Sequence, residues 1–357
     1  MKNNIYYDNK DDINVPAIGL LNYSRVTQRN KNYYFNKNLD SSYLYNICYM
    51  NASIQCLLRL DNFIKNIVKC DGGNLTKATQ NLIKNMQKKN RKNKSCSVLE
   101  IKMAMAKKNE IYKNNEEGDV NEFISNYING LIEETQDTGK LKWLYSPSDE
   151  IYFTKFYNKF LKKKGNSFIL DLFYGLLRTE NYCKYCKNTF SVKFNTFNIL
   201  EIPINVDYLS NNPLNMQDLL MKFISEKDDL NEICPECKKH RNYKISINYL
   251  PLCLIIYFTR DYIDNKINNI IIPKSFNFVK YMDKNLIKDN DNENDNFFYN
   301  LKGIIFYQYS KINLSHYKSV CLGNNMDWYY LDDNHYETKK LLYINDYDNP
   351  VFLFYEK

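Results

Sequence analysis

Two cysteine pairs, Cys183-Lys-Tyr-Cys186 and Cys234-Pro-Glu-Cys237, have the spacing of metal-binding knuckles. A C-x-x-C turn aims both sulfurs the same way, so two such turns can fill the four positions of a tetrahedral zinc. With every position taken by protein, that zinc would hold structure and take no part in chemistry. The 47 residues between Cys186 and Cys234 exceed the usual ribbon spacing, so a long folded excursion must bring the knuckles together. Two unrelated pairs of buried thiols are the plainer alternative. His240, just past the second knuckle, reads as an exposed side chain and not a further ligand.

A second chemistry needs a thiol and a base. The chain has ten cysteines but only three histidines. Asn46 reads as a helix N-cap, which puts Cys48 in the first turn, where unpaired N–H groups and the helix dipole favour a thiolate. His316 opens a strand run that is followed by a turn at Gly323-Asn324-Asn325. A hairpin centred on Asn324 sets His316 opposite Asp332. A carboxylate there would fix the imidazole tautomer and stabilise its charged form. The bland readings stay open at this point: a core cysteine, a half-buried strand histidine, and a solvated strand end at Asp332 and Asp333. Cys56, Cys70, Cys96, Cys253 and Cys321 read as ordinary core thiols.

The elements that must carry these residues are legible from apolar periodicity. After Asn46, Ala52, Cys56, Phe63 and Ile67 share one helical face, widened by Leu60 and Ile64. Residues 71–98 are basic and Asn-rich and read as a poorly packed stretch with some helix. Val120, Phe123, Ile124, Tyr127, Ile128 and Leu131 form a second helical face, opened by a capping-box pair, Asp119 and Glu122. From about residue 172 the pattern turns to strands: Phe190, Val192 and Phe194 alternate, and Leu252 to Phe258 reads as buried on both faces. Further strand runs fall near 300–308, 316–321, 326–332 and 350–355. Helices first and strands later is an α+β order. The acidic run 285–297 reads as a loop insertion.

The totals narrow the classes. The net charge of +8 is spread through a chain rich in Lys and Asn, with 32 tyrosines, so it reads as compositional bias and not as a focused nucleic-acid patch. A zinc-ribbon nucleic-acid module is therefore the lesser reading. The first residues have no apolar core of a secretory signal, and the longest apolar run, Leu250 to Phe258, falls far short of a membrane span of about 20 residues. Ten cysteines in that context suggest thiols and metal ligands in a reducing compartment, cytoplasm or nucleus.

At this point the motifs resemble the ubiquitin-specific protease family. Asn46-Ile-Cys-Tyr-Met-Asn-Ala-Ser-Ile-Gln-Cys-Leu-Leu58 resembles its Cys box, and Gly118-Asp-Val-Asn-Glu-Phe-Ile124 its second box. Leu172-Phe-Tyr-Gly-Leu-Leu and the two knuckles are similar to its zinc-bearing fingers. Leu252 to Arg260 is similar to the strand after the fingers. Ser315-His-Tyr and Trp328-Tyr-Tyr-Leu-Asp-Asp333 resemble its His box. The boxes come in family order.

The resemblance implies a papain-like α+β fold with a helical thumb, a β-rich palm and zinc-bearing β fingers. It implies a polar lead-in over 1–18 and one catalytic domain over 19–357. Within it the thumb would cover about 19–150, and palm and fingers 151–357, with the fingers near 175–260. It implies that Cys48 attacks the carbonyl of a ubiquitin C-terminal glycine, with His316 as base and Asp332 orienting it. Asp119, Glu122 and Tyr317 would bind the substrate tail, and Cys183, Cys186, Cys234 and Cys237 would hold structural Zn2+. Ubiquitin or ubiquitinated proteins are the implied partners, together with an activating partner protein.

Several positions depart from the family pattern. Its Cys box begins Gly-Leu-x-Asn-Leu-Gly-Asn-Thr-Cys, and read contiguously the oxyanion Asn would be Tyr43. Gly19-Leu-Leu-Asn-Tyr23 matches that missing front half, so residues 24–45 are read as an insertion and Asn22 as the oxyanion donor. Glu117 stands for a Gln, Ser315 for the glycine before the His, and Tyr309 for a loop glycine. Those bulkier residues would narrow the channel for a Gly-Gly tail. A catalytically weak or inactive ubiquitin-binding scaffold of the same fold is the alternative reading.

Overall fold

The computed structural model describes residues 13, 15–22, 45–88, 95–136, 138–139, 143, 149–204, 214–260, 270–287, 297–308, 316–339 and 349–357. The expected insertion at 24–45 lies outside them except for Tyr45. So do Tyr309, Ser315 and most of the acidic run at 285–297.

The N-terminal half is helical. It comprises α1 (Cys48–Leu57), α2 (Asp61–Ile67), α3 (Asn74–Gln87), α4 (Leu99–Lys108), α5 (Val120–Glu134), α6 (Glu150–Lys164) and α7 (Phe168–Phe173). Two short strands, β1 (Gly19–Leu20) and β2 (Ser95–Cys96), pair in parallel beside them. The apolar face expected for α5 is fully buried, and Asp119 caps it by accepting from the Glu122 N–H at 2.9 Å.

Three local expectations change. The face from Ala52 to Ile67 is split into two helices, with Leu60 extended between them. The break is held from far away: the Glu356 carboxylate accepts from the N–H groups of Asp61 and Asn62 at 3.0 and 2.7 Å. Asn46 is not the N-cap of α1; Ile47 is. Asn46 sits at φ +53°, and its side chain donates to the Asn115 carbonyl at 2.8 Å. Residues 74–87 are not loosely packed. Leu75, Ala78, Leu82, Ile83 and Met86 bury one face of α3, and Glu134 accepts from the N–H groups of Leu75 and Thr76 at its N-terminus. The many Lys and Asn on the other face hid that stripe.

Two sheets follow. The finger sheet joins β3 (Gly175–Tyr182), β4 (Thr189–Phe197), β7 (Lys227–Ile233) and β8 (His240–Tyr249) in the order β4-β3-β8-β7. The central sheet runs β15-β14-β13-β12-β16-β9-β5. Its members are β5 (Leu200–Ile204), β9 (Cys253–Arg260), β12 (Phe298–Gln308), β13 (His316–Leu322), β14 (Trp328–Asp332), β15 (His335–Lys339) and β16 (Pro350–Glu356), with β11 (Ser275–Asn277) pairing β12 at one end. Helix α8 (Met216–Ile224) and the parallel pair β6 (Leu214–Asn215) and β10 (Ile270–Ile271) lie between these segments in sequence. As expected, β9 is covered on both faces, with Cys253, Leu254, Ile255, Ile256 and Phe258 all buried. One face of the central sheet takes α1, and the other carries a second apolar cluster that includes Phe258, Ile304 and Leu353.

The β13–β14 hairpin is displaced by two residues from the expected register. Its ladder pairs Ser319 with Leu331, Val320 with Tyr330 and Leu322 with Trp328. The turn takes in Met326, whose φ is +63°, and closes with the Gly323 N–H on the Asp327 carbonyl at 2.7 Å. His316 and Asp332 are therefore diagonal and not directly opposed. A shift of two keeps both side chains on the same face, so the expected meeting survives.

Candidate active site and four-cysteine centre

Cys48 is the first residue of α1, and His316 is the first of β13. The two elements pack together, and the backbone N–H of Tyr317, one residue past His316, donates to the Cys48 sulfur. His316 is buried, and its Nε2 lies 2.6 Å from Asp332 Oδ1. The other carboxylate oxygen of Asp332 lies 3.5 Å from Lys318 Nζ. With Nε2 committed to the carboxylate, Nδ1 is the ring nitrogen suited to exchange a proton with a thiol.

Behind this pair sits a buried carboxylate that sequence reasoning passed over. Asp333 Oδ1 accepts from Asn51 Nδ2 at 2.8 Å, Oδ2 accepts from Asn22 Nδ2 at 3.0 Å, and Oδ2 lies 4.0 Å from His316 Nε2. Burial raises its pKa, the Asn51 hydrogen bond and the His316 charge lower it, and the net direction is upward. Its backbone is left-handed, at φ +54°, and its carbonyl accepts from the Leu20 N–H at 2.7 Å. So the segment 15–22 is brought to the junction of α1 and the hairpin, and Asn22 stands beside the candidate base. The Asp332-Asp333 doublet was the available signal. Nothing local tells which carboxylate turns inward, because that depends on the left-handed turn.

The thiol does not behave as its helix position suggested. Burial pushes Cys48 up to about 12. The N–H groups of Tyr317 and Tyr49 pull it down, and the negative charges of Asp333 and Glu117 add to the rise. A helix N-terminus favours a thiolate, but here loss of water outweighs it.

Asp119 and Glu122 stand exposed at the start of α5. Gly118 joins them to the thiol's neighbourhood. A Cβ there would fall 2.4 Å from the Tyr49 ring, so only glycine lets this backbone lie on the residue after Cys48. Tyr317 is half-buried and packs its ring 4.9 Å from that of Tyr307, its partner across the β12–β13 ladder.

The knuckles meet as expected. Cys183 and Cys237 sulfurs are 3.5 Å apart, Cys186 and Cys234 are 3.8 Å apart, and all four lie within 4.8 Å of one another. Zn–S bonds of about 2.3 Å in a tetrahedron put sulfurs about 3.8 Å apart, so the set fits one zinc. The two turns are copies. Lys187 and Lys238 donate to the carbonyls of Cys183 and Cys234 at 2.8 and 3.0 Å, and both have φ near +60°, at +63° and +60°. Hydrogen bonding from the Cys186 N–H lowers the Cys183 thiol to about 7, which favours the thiolate a metal requires. His240 is exposed and outside the group, as expected.

Comparison with known proteins gives a consistent picture. A family model described as ubiquitin carboxyl-terminal hydrolase matches residues 42–355. The chain is 30% identical over 271 residues to Ubiquitin carboxyl-terminal hydrolase 4 of Vanderwaltozyma polyspora, covering 66% of this chain and 29% of that protein. It is 26% identical over 363 residues to Ubiquitin carboxyl-terminal hydrolase 5 of Saccharomyces cerevisiae, covering 87% of this chain and 44% of that one. It thus spans less than half the length of these curated relatives. Among solved structures, the SAGA Ubp8/Sgf11/Sus1/Sgf73 DUB module bound to ubiquitin aldehyde aligns with TM-score 0.67 at 17% identity, covering 97% of this chain and 70% of that one. That likeness shows the fold: papain-like and α+β, with the helical half, central sheet and finger sheet as expected from the sequence.

Proposed function

The chain belongs to the ubiquitin carboxyl-terminal hydrolase family, and on that premise we propose that it is a cysteine-type deubiquitinase that hydrolyses the bond after the C-terminal glycine of ubiquitin. The observation that carries this reading is the 2.6 Å contact of His316 Nε2 with Asp332, one residue from the Tyr317 N–H that holds the Cys48 sulfur.

In the proposed reaction Cys48 Sγ attacks the glycine carbonyl carbon while its proton passes to His316 Nδ1. Because the resting thiol is held up near 12, this transfer accompanies attack and does not precede it. The oxyanion is received by Asn22, held in place by Asp333. His316 then protonates the leaving amine, and a thioester remains on Cys48. Water attacks it with His316 as base, releasing the ubiquitin carboxylate and the thiol. Asp332 orients the imidazole and stabilises its charged form. Asp119 and Glu122 hold the basic tail of ubiquitin by charge, and Tyr317 lines its path.

Cys183, Cys186, Cys234 and Cys237 would hold a structural Zn2+ that ties the ends of β3, β4, β7 and β8 together and has no open position for chemistry. Residues 19–357 are taken as one catalytic unit with the thumb, palm and finger division given above. The solved neighbour is bound to ubiquitin aldehyde and assembled with Sgf11, Sus1 and Sgf73. That supports ubiquitin as substrate and an activating partner for this chain, in the nucleus or cytoplasm.

The test is reaction with ubiquitin carrying a C-terminal electrophile. A covalent adduct that is lost in Cys48→Ala is expected. Absence of any adduct from folded, zinc-loaded protein would overturn the catalytic reading and leave a ubiquitin-binding scaffold.

A further inference from the structure

Two thiols outside that chemistry lie where the catalytic elements cross. Cys56 on α1 and Cys321 on β13 are fully buried, and their sulfurs are 3.6 Å apart. The space is made by Gly303, the cross-strand partner of Cys321: a Cβ there would come within 2.9 Å of Cys56 Sγ. Sequence reading took both as inert core thiols. We propose that Cys56 and Cys321 are a disulfide-forming site that takes hydrogen peroxide as oxidant, and that the bond slows reaction at Cys48.

The first half rests on proximity and chemistry. Burial acts to raise Cys321, but the hydrogen bond from Cys56 and the buried Arg59 guanidinium outweigh it and hold this thiol below its ordinary range. Cys56 is pushed well above its own by burial and by Cys321. Cys321 is thus the nucleophile. Its sulfur attacks one peroxide oxygen, the O–O bond breaks, and a sulfenic acid and one water form. The Cys56 sulfur then displaces the sulfenic oxygen as a second water. Two thiols are oxidised by two electrons, and one peroxide is reduced to two waters. Since both sulfurs are shut from solvent, the oxidant enters only by local opening, so the reaction is slow.

The second half rests on the catalytic reading of Cys48. Cys56 lies two turns along α1 from Cys48, about 12 Å. Cys321 lies four residues along β13 from Tyr317, about 13 Å. The same two elements therefore touch at both ends, by Cys48 on the Tyr317 N–H and by Cys56 on Cys321. A disulfide is about 2.05 Å long, so the 3.6 Å contact must shorten by about 1.5 Å, and a close-packed interface passes that strain along its length. A displacement of about 1 Å at reacting groups costs on the order of 100-fold in rate.

The experiment treats the reduced, zinc-loaded chain with hydrogen peroxide, then blocks remaining thiols and maps peptides without reduction. The expected result is a Cys56–Cys321 linked peptide pair, about 2 Da lighter than the two thiols, in the wild type and in Cys48→Ala. In wild-type molecules whose Cys48 is still a thiol, the rate constants for the ubiquitin electrophile and for iodoacetamide fall about tenfold or more, and dithiothreitol restores them. Cys56→Ser and Cys321→Ser, made separately in case one fails to fold, keep the reduced rate constant and lose the slowing. Absence of the linked pair at doses that oxidise Cys48 overturns the proposal, and so does a linked pair with unchanged rate constants. If the reduced chain never forms the ubiquitin adduct, the deubiquitinase reading fails instead, and the iodoacetamide rate still decides this one.

Discussion

The two cysteine-bearing regions are assembled in opposite ways. At the finger tip, two short turns each carry their own geometry: a C-x-x-C, a left-handed lysine after it, and a hydrogen bond back to the first cysteine's carbonyl. Folding has only to bring the two copies together across β3 and β8. At the candidate active site no segment is self-sufficient. Cys48 starts a helix, His316 starts a strand, Asp332 ends another, and Asn22 arrives on a segment that docks against the turn at Asp333. Local turns can place ligands for a metal, but a reaction that passes a proton between unlike groups needs long-range packing to set each distance.

The largest effect that separates the regions is on turnover. Cys48→Ala should lower hydrolysis of a fluorogenic ubiquitin amide by on the order of 10⁴-fold or more with thermal unfolding unchanged. A comparable loss of Tm would erase the distinction, making Cys48 structural. Stripping the metal should do the reverse. Zinc holds such thiolates by about 10–16 kcal/mol, so a chelator should expose the amides of β3, β4, β7 and β8 to hydrogen exchange while α1 stays protected. Equal loss of protection in α1 would show that the candidate active site leans on the fingers.

Within the candidate active site, Asn22→Ala should lower kcat by about 10²–10³-fold with KM little changed, as read by steady-state kinetics. A change confined to KM would make Asn22 a binding residue. The raised thiol sets a pH dependence. With its pKa pushed up to about 12, Cys48 stays protonated through neutral pH, so its iodoacetamide alkylation should rise about tenfold per pH unit from 7 to 10. A plateau beginning near pH 6 would mean a preformed thiolate–imidazolium pair. The smallest effect tests local geometry. Lys238→Gly relieves a left-handed backbone at φ +60° and should raise the finger melting temperature by about 1–3 °C. Asp333→Gly relieves the same strain at φ +54° yet should lower both stability and activity, since two amides lose their acceptor.

Periodicity and motif spacing by themselves determined that helices precede strands, the buried face of α5, the two-sided burial of β9 and the four candidate metal ligands. These depend on contacts within a few residues or on a stripe that repeats along one element. The break between α1 and α2, the cap of α3, the inward turn of Asp333 and the elevated Cys48 thiol were decided only by tertiary structure. Each is controlled by a group far away in the chain: Glu356 caps α2, Glu134 caps α3, Asn22 and Asn51 pin Asp333, and burial under β13 removes water from the sulfur. Even the hairpin register moved by two, around a turn that takes in the left-handed Met326, and the meeting of His316 with Asp332 was preserved because strand parity survives a shift of two. A sequence pattern records which face a side chain takes, whereas hydrogen-bond partners and desolvation depend on what the rest of the chain lays against that face.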